Sequence, residues 1–276
     1  MSRTVAGATV LVTGAAMGMG RLYAERAVFE GARVLVLWDR DGARLASTVA
    51  ELGSQSRGRT RIHSYVVDVA DLGSIAQAAQ KVRTEVGNPD VLINNAGIVR
   101  GNSFFWEHDN GEDTRATVQV NTLAPMYITR EFLPGMIARP YRAARIVNVA
   151  SAAGMIAKPR MSVYAASKAG LIGWSDSLRL ELEQQDHGNV KVTTVCPSYI
   201  STGDGARGSL LAPILTPEHV VERVWRAMLA GKPMLLLPWS VGLSKVLRGV
   251  LPLRAWDAIA GRVFGVYSSM DRFTGR

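Results

Sequence analysis

The sequence predicts an α/β fold in which a doubly wound, parallel β-sheet of about seven strands carries helices on both faces. Short apolar runs alternate with helix-length segments along the chain. The runs are almost continuously apolar, as expected of strands that are buried on both faces of a parallel sheet. Strands and helices that alternate in this order imply right-handed crossovers within one sheet.

The predicted elements follow one another in a regular order. The segments predicted as strands are 8–14, 32–39, 61–69, 90–97, 144–151, 190–197 and 233–238. The segments predicted as helices are 18–30, 41–52, 71–86, about 111–137, 161–185 and 216–230. The last of these helices has a clear start, because Thr216 is a capping residue followed by Pro217. No linker, repeat or low-complexity tract divides the chain, so residues 1–276 are predicted to form one domain.

Composition and charge limit the class of protein. Hydrophobic residues make up 47% and charged residues 20% of the 276, which is typical of a folded globular chain. The single cysteine, Cys196, excludes an intramolecular disulfide. We expect a cytoplasmic location, because neither a signal-like start nor a membrane-length apolar run is present. The net charge of +9 (32 Lys+Arg minus 23 Asp+Glu) comes from scattered residues, so no nucleic-acid partner is expected.

A glycine motif directly follows the first predicted strand. Gly14, Gly18 and Gly20 have the spacing GxxxGxG at the point where a helix begins. Glycine lets the backbone approach a pyrophosphate closely, and the helix N-terminus offers unpaired N–H groups and the positive end of its dipole. The motif predicts a Rossmann-type dinucleotide site, and Met19, between the last two glycines, is predicted to contact the cofactor with them.

The end of the second predicted strand indicates which dinucleotide is bound. Asp39 lies about twenty residues after the glycines, where a carboxylate accepts hydrogen bonds from a ribose 2′-hydroxyl and repels a 2′-phosphate. This favours NAD over NADP. Arg40 leaves the NADP alternative open, because a basic neighbour can pair with a phosphate. The other interpretation of Asp39 is an N-cap for the helix that follows.

A tyrosine and a lysine stand four residues apart in the predicted helix 161–185. Tyr164 and Lys168 therefore share one face of the helix. A free tyrosine titrates near pH ~10 and is a poor base at neutral pH. A lysine ammonium one turn away favours the phenolate, which lowers the pKa of the phenol toward the working range. The alternative is a phenol that simply packs over an aliphatic lysine stem.

The GxxxGxG spacing, the run NNAG at Asn94–Gly97, Ser151 and the YxxxK pair occur in one order along the chain. In these motifs the chain resembles the short-chain dehydrogenase/reductase family from residue 8 to about residue 230. The resemblance implies a Rossmann fold and hydride transfer between an alcohol or carbonyl and a nicotinamide cofactor. It makes Tyr164 the general base in oxidation and the general acid in reduction, and it directs Lys168 also to the nicotinamide ribose.

The resemblance assigns roles to two further catalytic residues. Ser151 matches the serine that orients the substrate oxygen and steadies charge developing there; its alternative role is to cap the following turn. Asn121 matches the helix asparagine that takes part in a water-mediated proton relay with the lysine. Its alternative role is a buried asparagine that bonds the backbone.

The resemblance also implies the cofactor contacts. Asn95, Ala96 and Gly97 match the residues beside the cofactor, with Asn95 nearest the adenosine ribose. Asp68 matches the residue that meets the adenine amino group, and Val69 supplies a backbone contact. The loop after the sixth strand implies two more contacts, at Pro197 and Thr202. Ser198 stands there where the family has glycine, which puts the shape of this loop in doubt.

Short phrases of the sequence are similar to one branch of the family, which contains retinol, 17β-hydroxysteroid and long-chain alcohol dehydrogenases. They are VLVLWDRDG, SAAG after the fifth strand and a proline-punctuated tail. This resemblance implies oxidation of bulky apolar alcohols with NAD. Two alternatives stay open, namely a dinucleotide-sensing protein without turnover and an NADP-dependent ketoreductase. A sugar-nucleotide epimerase or dehydratase also uses YxxxK, but normally has a longer C-terminal substrate domain.

The C-terminal extension, residues 232–276, is basic and apolar. It holds seven Lys+Arg and two Asp, which is +5 of the total charge of +9. We expect it to cover the substrate cleft or to contact another subunit, and a membrane surface is the less favoured partner. The family resemblance implies a homotetramer.

Two observations concern the remaining residues with potential chemistry. Phe104, Phe105 and Trp106 follow the fourth predicted strand, where they either line an apolar substrate pocket or anchor the loop. None of the four histidines has a partner at metal-ligand spacing, so no catalytic metal is expected. These histidines are His63, His108, His187 and His219.

Overall fold

The computed structural model describes residues 4–100, 102–201 and 213–262. Its centre is one seven-stranded sheet in which every neighbouring pair of strands is parallel and the strand order is β3-β2-β1-β4-β5-β6-β7. The strands are β1 (Thr9–Thr13), β2 (Val34–Asp39), β3 (Arg61–Val66), β4 (Val91–Asn94), β5 (Ala144–Val149), β6 (Val190–Pro197) and β7 (Met234–Leu237). The doubly wound α/β fold is therefore confirmed.

The helices lie on both faces of the sheet. The longer ones are α1 (Gly18–Phe29), α2 (Gly42–Ser56), α3 (Leu72–Glu85), α5 (Ala124–Ile137), α6 (Ser162–Gln184) and α7 (Pro217–Leu229). α1, α2 and α7 pack on one face, and α3, α5 and α6 pack on the other. Each face buries its own apolar cluster, because the strands between them are apolar on both sides.

Helical turns of two kinds precede α5. The segments Asn110–Arg115 and Gln119–Leu123 have π-helical turns, and the short α4 (Ala116–Val118) separates them. Helical structure thus runs through most of the predicted segment 111–137. The predicted segment 41–52 differs from the observed helix at its end, because α2 continues through Gly53 to Ser56 and ends at Arg57, whose φ is 50°.

Large aromatic side chains fill both cores. Trp38 of β2 is fully buried, and its ring centroid lies 5.9 Å from that of Phe132 on α5. On the opposite face, Tyr23 of α1 and Trp225 of α7 are also fully buried. These contacts hold helices from different parts of the chain against the same sheet, so the carboxyl ends of the strands are fixed relative to one another.

The strand order reverses direction at β1. Its neighbours are β2 and β4, so the segments that leave β1 and β4 turn to opposite faces and open a crevice at their carboxyl ends. In open α/β sheets, ligands bind at this switch point. The loop after β1 begins with Gly14, and the loop after β4 begins with Asn95.

Two helices follow β7 in the C-terminal extension, α8 (Trp239–Val250) and α9 (Leu253–Arg262). On their inner side, Trp256 and Ala260 are buried with Ile156 in a small cluster of their own. On the outer side, an apolar row follows helical spacing and stays exposed. Its members are Trp239, Leu243, Val246, Val250 and Leu253. Within the described parts of the chain, none of the helices is both long enough and apolar enough to span a bilayer.

Candidate active site

The turn after β1 has the geometry that the glycine motif predicts. Gly14 has a φ of +64°, and a Cβ on it would lie 3.0 Å from the Cα of Ala96. A Cβ on Gly20 would overlap the carbonyl oxygen of Gly14. Side chains at these two positions are therefore excluded, by conformation and close approach at Gly14 and by close approach at Gly20. Without side chains in the way, the backbone of this turn can approach a ligand closely, as binding of a pyrophosphate requires.

The first turn of α1 leaves its N–H groups uncapped. Its N-cap residue, Met17, makes no side-chain capping hydrogen bond, and its first turn holds no acidic residue. By contrast, side chains cap α2, α3 and α7, through Asp41, Asp71 and Thr216 respectively. The N-terminus of α1 therefore offers unpaired N–H donors and a positive dipole end to an anionic group.

Asp39 connects the end of β2 to the glycine turn. Its Oδ2 accepts a hydrogen bond from the Ala16 N–H at 2.9 Å, and its Oδ1 accepts one from the Asp41 N–H at 3.0 Å. Asp41, not Asp39, caps α2, because its carboxylate accepts from the Arg44 N–H. The interpretation of Asp39 as the helix cap is thus wrong, and Asp39 stands at the wall of the crevice beside Arg40.

A cavity of about 920 Å³ occupies the crevice on the Asp39 side. Seven of the predicted cofactor residues line it: Gly14, Asp39, Asp68, Val69, Asn95, Ala96 and Gly97. Asp68 is exposed, and its Oδ1 accepts from the Ala70 N–H at 2.9 Å. Gly18 and Gly20 shape the turn without lining the cavity. The structure thus brings the predicted adenosine contacts to one wall.

A smaller cavity of about 310 Å³ adjoins the first. Asn95, Gly97 and Ile98 line both cavities, so the two are continuous along the loop after β4. The smaller cavity is lined by five further predicted residues: Met19, Ser151, Tyr164, Lys168 and Pro197. The crevice therefore consists of a larger compartment near Asp39 and a smaller one around Tyr164 and Lys168.

Tyr164 and Ser151 face each other in the smaller cavity. Burial raises the pKa of the Tyr164 phenol, and its side-chain hydrogen bond with Ser151 lowers that pKa by a smaller amount. The Ser151 Oγ also accepts from the Ala153 N–H at 3.2 Å. The capping role of Ser151 is observed at the turn Ala152–Gly154, and its role toward a substrate oxygen stays a prediction.

Lys168 lies deep beside the phenol. Its Nζ is 5.8 Å from the Tyr164 ring centroid and donates to the Val149 carbonyl at 2.9 Å. Burial lowers the pKa of Lys168 to about 8 and raises that of the nearby Cys196 thiol to about 12. The expected net lowering of the Tyr164 pKa is wrong for the protein chain by itself, because burial outweighs the favourable hydrogen bond.

Asn121 is fully buried between the loop after β4 and α6. Its Oδ1 accepts from the Ile98 N–H at 2.9 Å, and its Nδ2 donates to the Ile98 carbonyl at 2.8 Å and to the Ser167 Oγ at 3.2 Å. A Cβ on Gly97 would lie 3.2 Å from the Asn121 Oδ1 and 3.4 Å from the Lys168 Nζ. Gly97 thus lets these two polar side chains approach one loop. The backbone-bonding role of Asn121 is observed, and the proton relay stays a prediction.

Comparison with known proteins assigns the chain to a family. The model of the short chain dehydrogenase family matches residues 8–207, which is well over half of the chain. This protein belongs to the short-chain dehydrogenase family.

Relatives with related names cover nearly the whole chain. Estradiol 17-beta-dehydrogenase 11 of Pongo abelii is 36% identical over 256 residues, which are 91% of this chain and 82% of the relative. Epidermal retinol dehydrogenase 2 of Mus musculus is 34% identical over 279 residues, which are 99% of this chain and 87% of the relative. The predicted branch of the short-chain dehydrogenases is therefore confirmed.

Solved structures agree with the fold. A short chain dehydrogenase/reductase from Burkholderia phymatum, in complex with NAD, is 25% identical and superposes with a TM-score of 0.78, covering 90% of this chain and 95% of that one. A metagenomic short-chain oxidoreductase in complex with NADP is 30% identical with a TM-score of 0.70, covering 86% and 98%. A nicotinamide dinucleotide is therefore the cofactor class of this short-chain dehydrogenase, and the glycine turn and uncapped α1 fit it.

Two parts of the candidate site in this short-chain dehydrogenase were not predicted from the sequence. The Thr13 Oγ1 accepts from the N–H groups of Asn95 and Ala96 at 3.1 and 3.0 Å, which ties β1 to the loop after β4. Lys158 and Tyr199 line the smaller cavity, and the Lys158 Nζ lies 2.8 Å from the Tyr199 Oη. Thr13 could have been found from its position directly before Gly14 of the glycine motif. No sequence motif indicated the contact between Lys158 and Tyr199.

The loop after β6 accepts serine in place of the family's glycine. The Ser198 N–H donates to the Leu237 carbonyl at 2.7 Å, continuing the pairing of β6 with β7. Its φ is not among the positive values of the chain, so the substitution causes no strain there. Thr202, the last predicted cofactor contact, lies outside the described residues.

The aromatic loop lies at the surface. Phe104, Phe105 and Trp106 are exposed and line neither cavity, so the loop-anchoring interpretation fits them better. Phe104 stacks on Trp106 with ring centroids 4.9 Å apart, and the Arg160 guanidinium lies 4.8 Å from the Phe104 ring. Among the described residues, no group of three His, Cys, Asp or Glu side chains is arranged to hold a metal ion.

Proposed function

We propose that this chain is an NAD-dependent oxidoreductase that interconverts a bulky hydrophobic alcohol and its carbonyl compound, with Tyr164 as general acid/base. One observation supports this above all. Ser151, Tyr164 and Lys168 line one mainly apolar cavity, and that cavity opens along Asn95 and Gly97 into the compartment shaped for a dinucleotide. Family membership supplies the reaction class.

The protein residues divide the proton chemistry among themselves. The dinucleotide, when bound, supplies or accepts the hydride at its nicotinamide ring. Because burial keeps the Tyr164 phenol protonated, it is ready to donate a proton to the oxygen of a carbonyl substrate. In the oxidising direction the phenol has to release its proton first, and the Lys168 ammonium favours the phenolate that results.

Ser151 and Lys168 position the reacting groups. The Ser151 hydroxyl lines the smaller cavity together with Tyr164 and is placed to hold the substrate oxygen beside the phenol. With a pKa of about 8, Lys168 keeps an ammonium at neutral pH and yet exchanges protons easily. Asn121 extends this set inward through Ser167, whose Oγ donates to the Tyr164 carbonyl at 2.7 Å. These bonds fix Asn121 against α6, and the proposed proton relay through Asn121 rests on family membership.

The preference for NAD rests on Asp39. Its carboxylate stands at the wall of the larger cavity and already accepts two backbone N–H groups, which fixes its orientation. A 2′-phosphate at this position would meet that fixed negative charge, whereas a 2′-hydroxyl would donate to it. Arg40 lines the same cavity, and it is the residue through which an NADP preference would act.

We expect Asp39→Ala to raise the affinity for NADP relative to NAD by about tenfold, because the repulsion is removed. Calorimetric titration of both dinucleotides into wild type and variant measures this ratio. Asp41→Ala is the matched control, since its carboxylate lies two residues away and caps α2. An unchanged NAD/NADP ratio in Asp39→Ala would assign the selection to Arg40.

The substrate class follows from the lining and the relatives. The smaller cavity presents Ile98, Val99, Met161 and Ile200 around the catalytic groups. Relatives named for estradiol and for retinol share about a third of the sequence. The volume of about 310 Å³ is at the lower end of the range for ligand sites. Retinol-, steroid- or long-chain-alcohol-like substrates are therefore proposed.

The first experiment is NADH formation by the purified protein with NAD⁺ and a panel of alcohols. The panel contains retinol, 17β-hydroxysteroids, long-chain secondary alcohols and small polar alcohols. Turnover of the apolar members supports the proposal. Turnover of the small polar alcohols alone would reject the substrate class. Dinucleotide binding without turnover of any member would favour the dinucleotide-sensing alternative, although all four predicted catalytic residues are present.

Assembly and location complete the proposal. We propose a cytoplasmic homotetramer joined through α5 and α6, and a stable monomer in light scattering would contradict it. Packing of Trp256 on Ile156 supports a covering role for the C-terminal helices, because Ile156 follows the Ser151 turn. The exposed row from Trp239 to Leu253 is proposed as a subunit contact. Co-sedimentation with anionic liposomes at low salt would instead assign the row to a membrane.

A further inference from the structure

One charged side chain of the smaller cavity has no part in the mechanism described above. Lys158 lies in the loop between the Ser151 turn and α6, and it lines the cavity together with Tyr164. Its Nζ is 2.8 Å from the Tyr199 Oη and 4.0 Å from the centroid of the Tyr199 ring. The two residues are 41 positions apart in sequence and meet at the wall of the cavity.

Among the described residues, Lys158 has no acidic partner. None of their ion pairs within 4.0 Å involves its Nζ. The described residues that line the cavity include no Asp or Glu. Lys168 is the other cation in this lining, and its Nζ is turned inward to the Val149 carbonyl. Lys158 therefore places a half-buried positive charge in an otherwise largely apolar wall.

An ammonium group in this setting has hydrogen-bonding capacity left over. A lysine ammonium carries three N–H donors and no acceptor. Among the described residues, the Tyr199 hydroxyl is the one hydrogen-bond partner of Lys158. Partial burial weakens the solvation of the charge, so an anionic ligand atom gains more here than at an open surface.

We propose that Lys158 and Tyr199 form an anion subsite for the end of the substrate remote from its hydroxyl. The favoured substrates are then amphiphilic hydroxy acids, in which an apolar body separates the reacting hydroxyl from a carboxylate or a comparable anionic group. The apolar body contacts residues such as Ile98 and Met161, and the anion takes the N–H donors of Lys158. This inference rests on the proposed function, because it names the substrate class of the same site.

A second explanation of the pair is mechanical. The bond between Lys158 and Tyr199 joins the loop before α6 to the loop after β6, and this alone stabilises the cavity wall. The two explanations differ in what they predict for the ligand. A mechanical tie affects charged and neutral ligands alike, whereas an anion subsite distinguishes a carboxylate from its ester.

The test uses hydroxy fatty acids with the hydroxyl at different distances from the carboxylate, each paired with its methyl ester. Binding to the full chain saturated with NADH is measured by calorimetry, and NAD⁺-dependent oxidation is measured in parallel. The variants are Lys158→Met, which keeps the apolar stem, and Tyr199→Phe, which keeps the ring. Lys81→Met is the matched control, because Lys81 is an exposed lysine of α3 outside both cavities.

We expect wild type to bind at least one acid about tenfold more tightly than its ester, since a charge-assisted hydrogen bond is lost in the ester. Lys158→Met removes this preference by weakening the acid alone, and its NADH affinity stays unchanged. Tyr199→Phe reduces the preference less, and Lys81→Met keeps it.

Three results would overturn the inference. They are equal binding of acid and ester by wild type, an equal loss for both in Lys158→Met, and a loss of NADH affinity in Lys158→Met, which would assign the lysine to the dinucleotide. Failure of the proposed function is distinguishable. In that case no alcohol is oxidised, while the calorimetric preference for the acid still decides the subsite.

Discussion

The two ends of the parallel sheet use buried charge in different ways. At the amino ends, Asp90 precedes β4 and is 4% exposed, and it accepts from the Thr9 N–H at 2.8 Å, the Arg139 Nη1 at 3.0 Å and the Arg142 Nη2 at 2.6 Å. At the carboxyl ends, Lys168 is equally inaccessible, and its hydrogen-bond partner is the neutral Val149 carbonyl.

This difference separates stability from chemistry. A buried carboxylate with two guanidinium partners and a backbone donor has its desolvation offset, so it holds the strands and α5 together. A buried ammonium facing a neutral carbonyl keeps part of its desolvation cost, which is visible in its pKa of about 8. The fold therefore tolerates an unfavourable charge at the proposed site of proton transfer and compensates a buried charge at the opposite end of the sheet.

The largest effect is expected at the carboxyl ends, on activity alone. Tyr164→Phe removes the O–H that is proposed to transfer the proton and keeps the ring, so we expect kcat to fall by about 10³-fold. The free energy of unfolding stays within about 0.5 kcal/mol of wild type. Steady-state kinetics and urea unfolding measure the two quantities. A variant that keeps more than a tenth of the wild-type kcat would remove Tyr164 from its assigned role.

The next effect is expected at the amino ends, on stability alone. Asp90→Ala leaves the buried Thr9 N–H without its acceptor. It also removes the carboxylate partner of Arg139 and Arg142, which are themselves partly exposed. We therefore expect the free energy of unfolding to fall by about 2–3 kcal/mol. Urea unfolding measures the loss, and kcat well below the melting temperature stays unchanged. The matched control is Asp176→Ala, because Asp176 also pairs with an arginine, Arg179, but is 52% exposed. A loss as large in the control would contradict the role of burial.

The smallest effect is expected at Lys168, where a substitution stabilises the protein instead of destabilising it. Burial lowers the pKa of Lys168 from 10.5 to about 8, so in that interval the unfolded chain binds more protons than the folded chain. The stability of wild type therefore rises with pH through this window, and the cost of the buried ammonium is fully present below about pH 8.

Lys168→Met removes that cost. We expect it to be about 1–2 kcal/mol more stable than wild type near neutral pH, and to lose this advantage as the pH approaches 10.5. Urea unfolding at both pH values is the measurement, and the variant is expected to have little activity. An advantage that does not change with pH would show that methionine packing, not charge removal, causes it.

The strands were the most predictable part of the molecule. Most are continuous apolar runs, because the centre of the sheet is covered on both faces, whereas the edge strand β3, RIHSYV, is partly exposed. The end of α2 was less predictable, since the predicted segment stopped at residue 52, whereas the helix continues through Gly53 to Ser56 and Arg57 takes the left-handed conformation after it. The π-helical turns around Asn121 leave no trace in a periodicity of hydrophobic residues.

The candidate site was predictable where its residues are close in sequence. Tyr164 and Lys168 share a helix face, and the three glycines share a turn, so spacing alone brings them together. The N-cap alternative for Asp39 was wrong, because Asp39 and Asp41 are both near the start of α2 and only geometry selects Asp41 as the cap. The meeting of Lys158 with Tyr199 depends on how two distant loops fold, which no local pattern encodes.

The packing of the C-terminal helices on Ile156 ties two distant stretches of the chain together. The family match ends at residue 207, while α8 and α9 begin later, and Trp256 of α9 packs on Ile156, which follows the Ser151 turn. A substitution on α9 can therefore shift the segment between the Ser151 turn and α6 while Ser151, Tyr164 and Lys168 stay unchanged. Variation in these C-terminal helices thus reaches the candidate site indirectly, through the packing of one small apolar cluster.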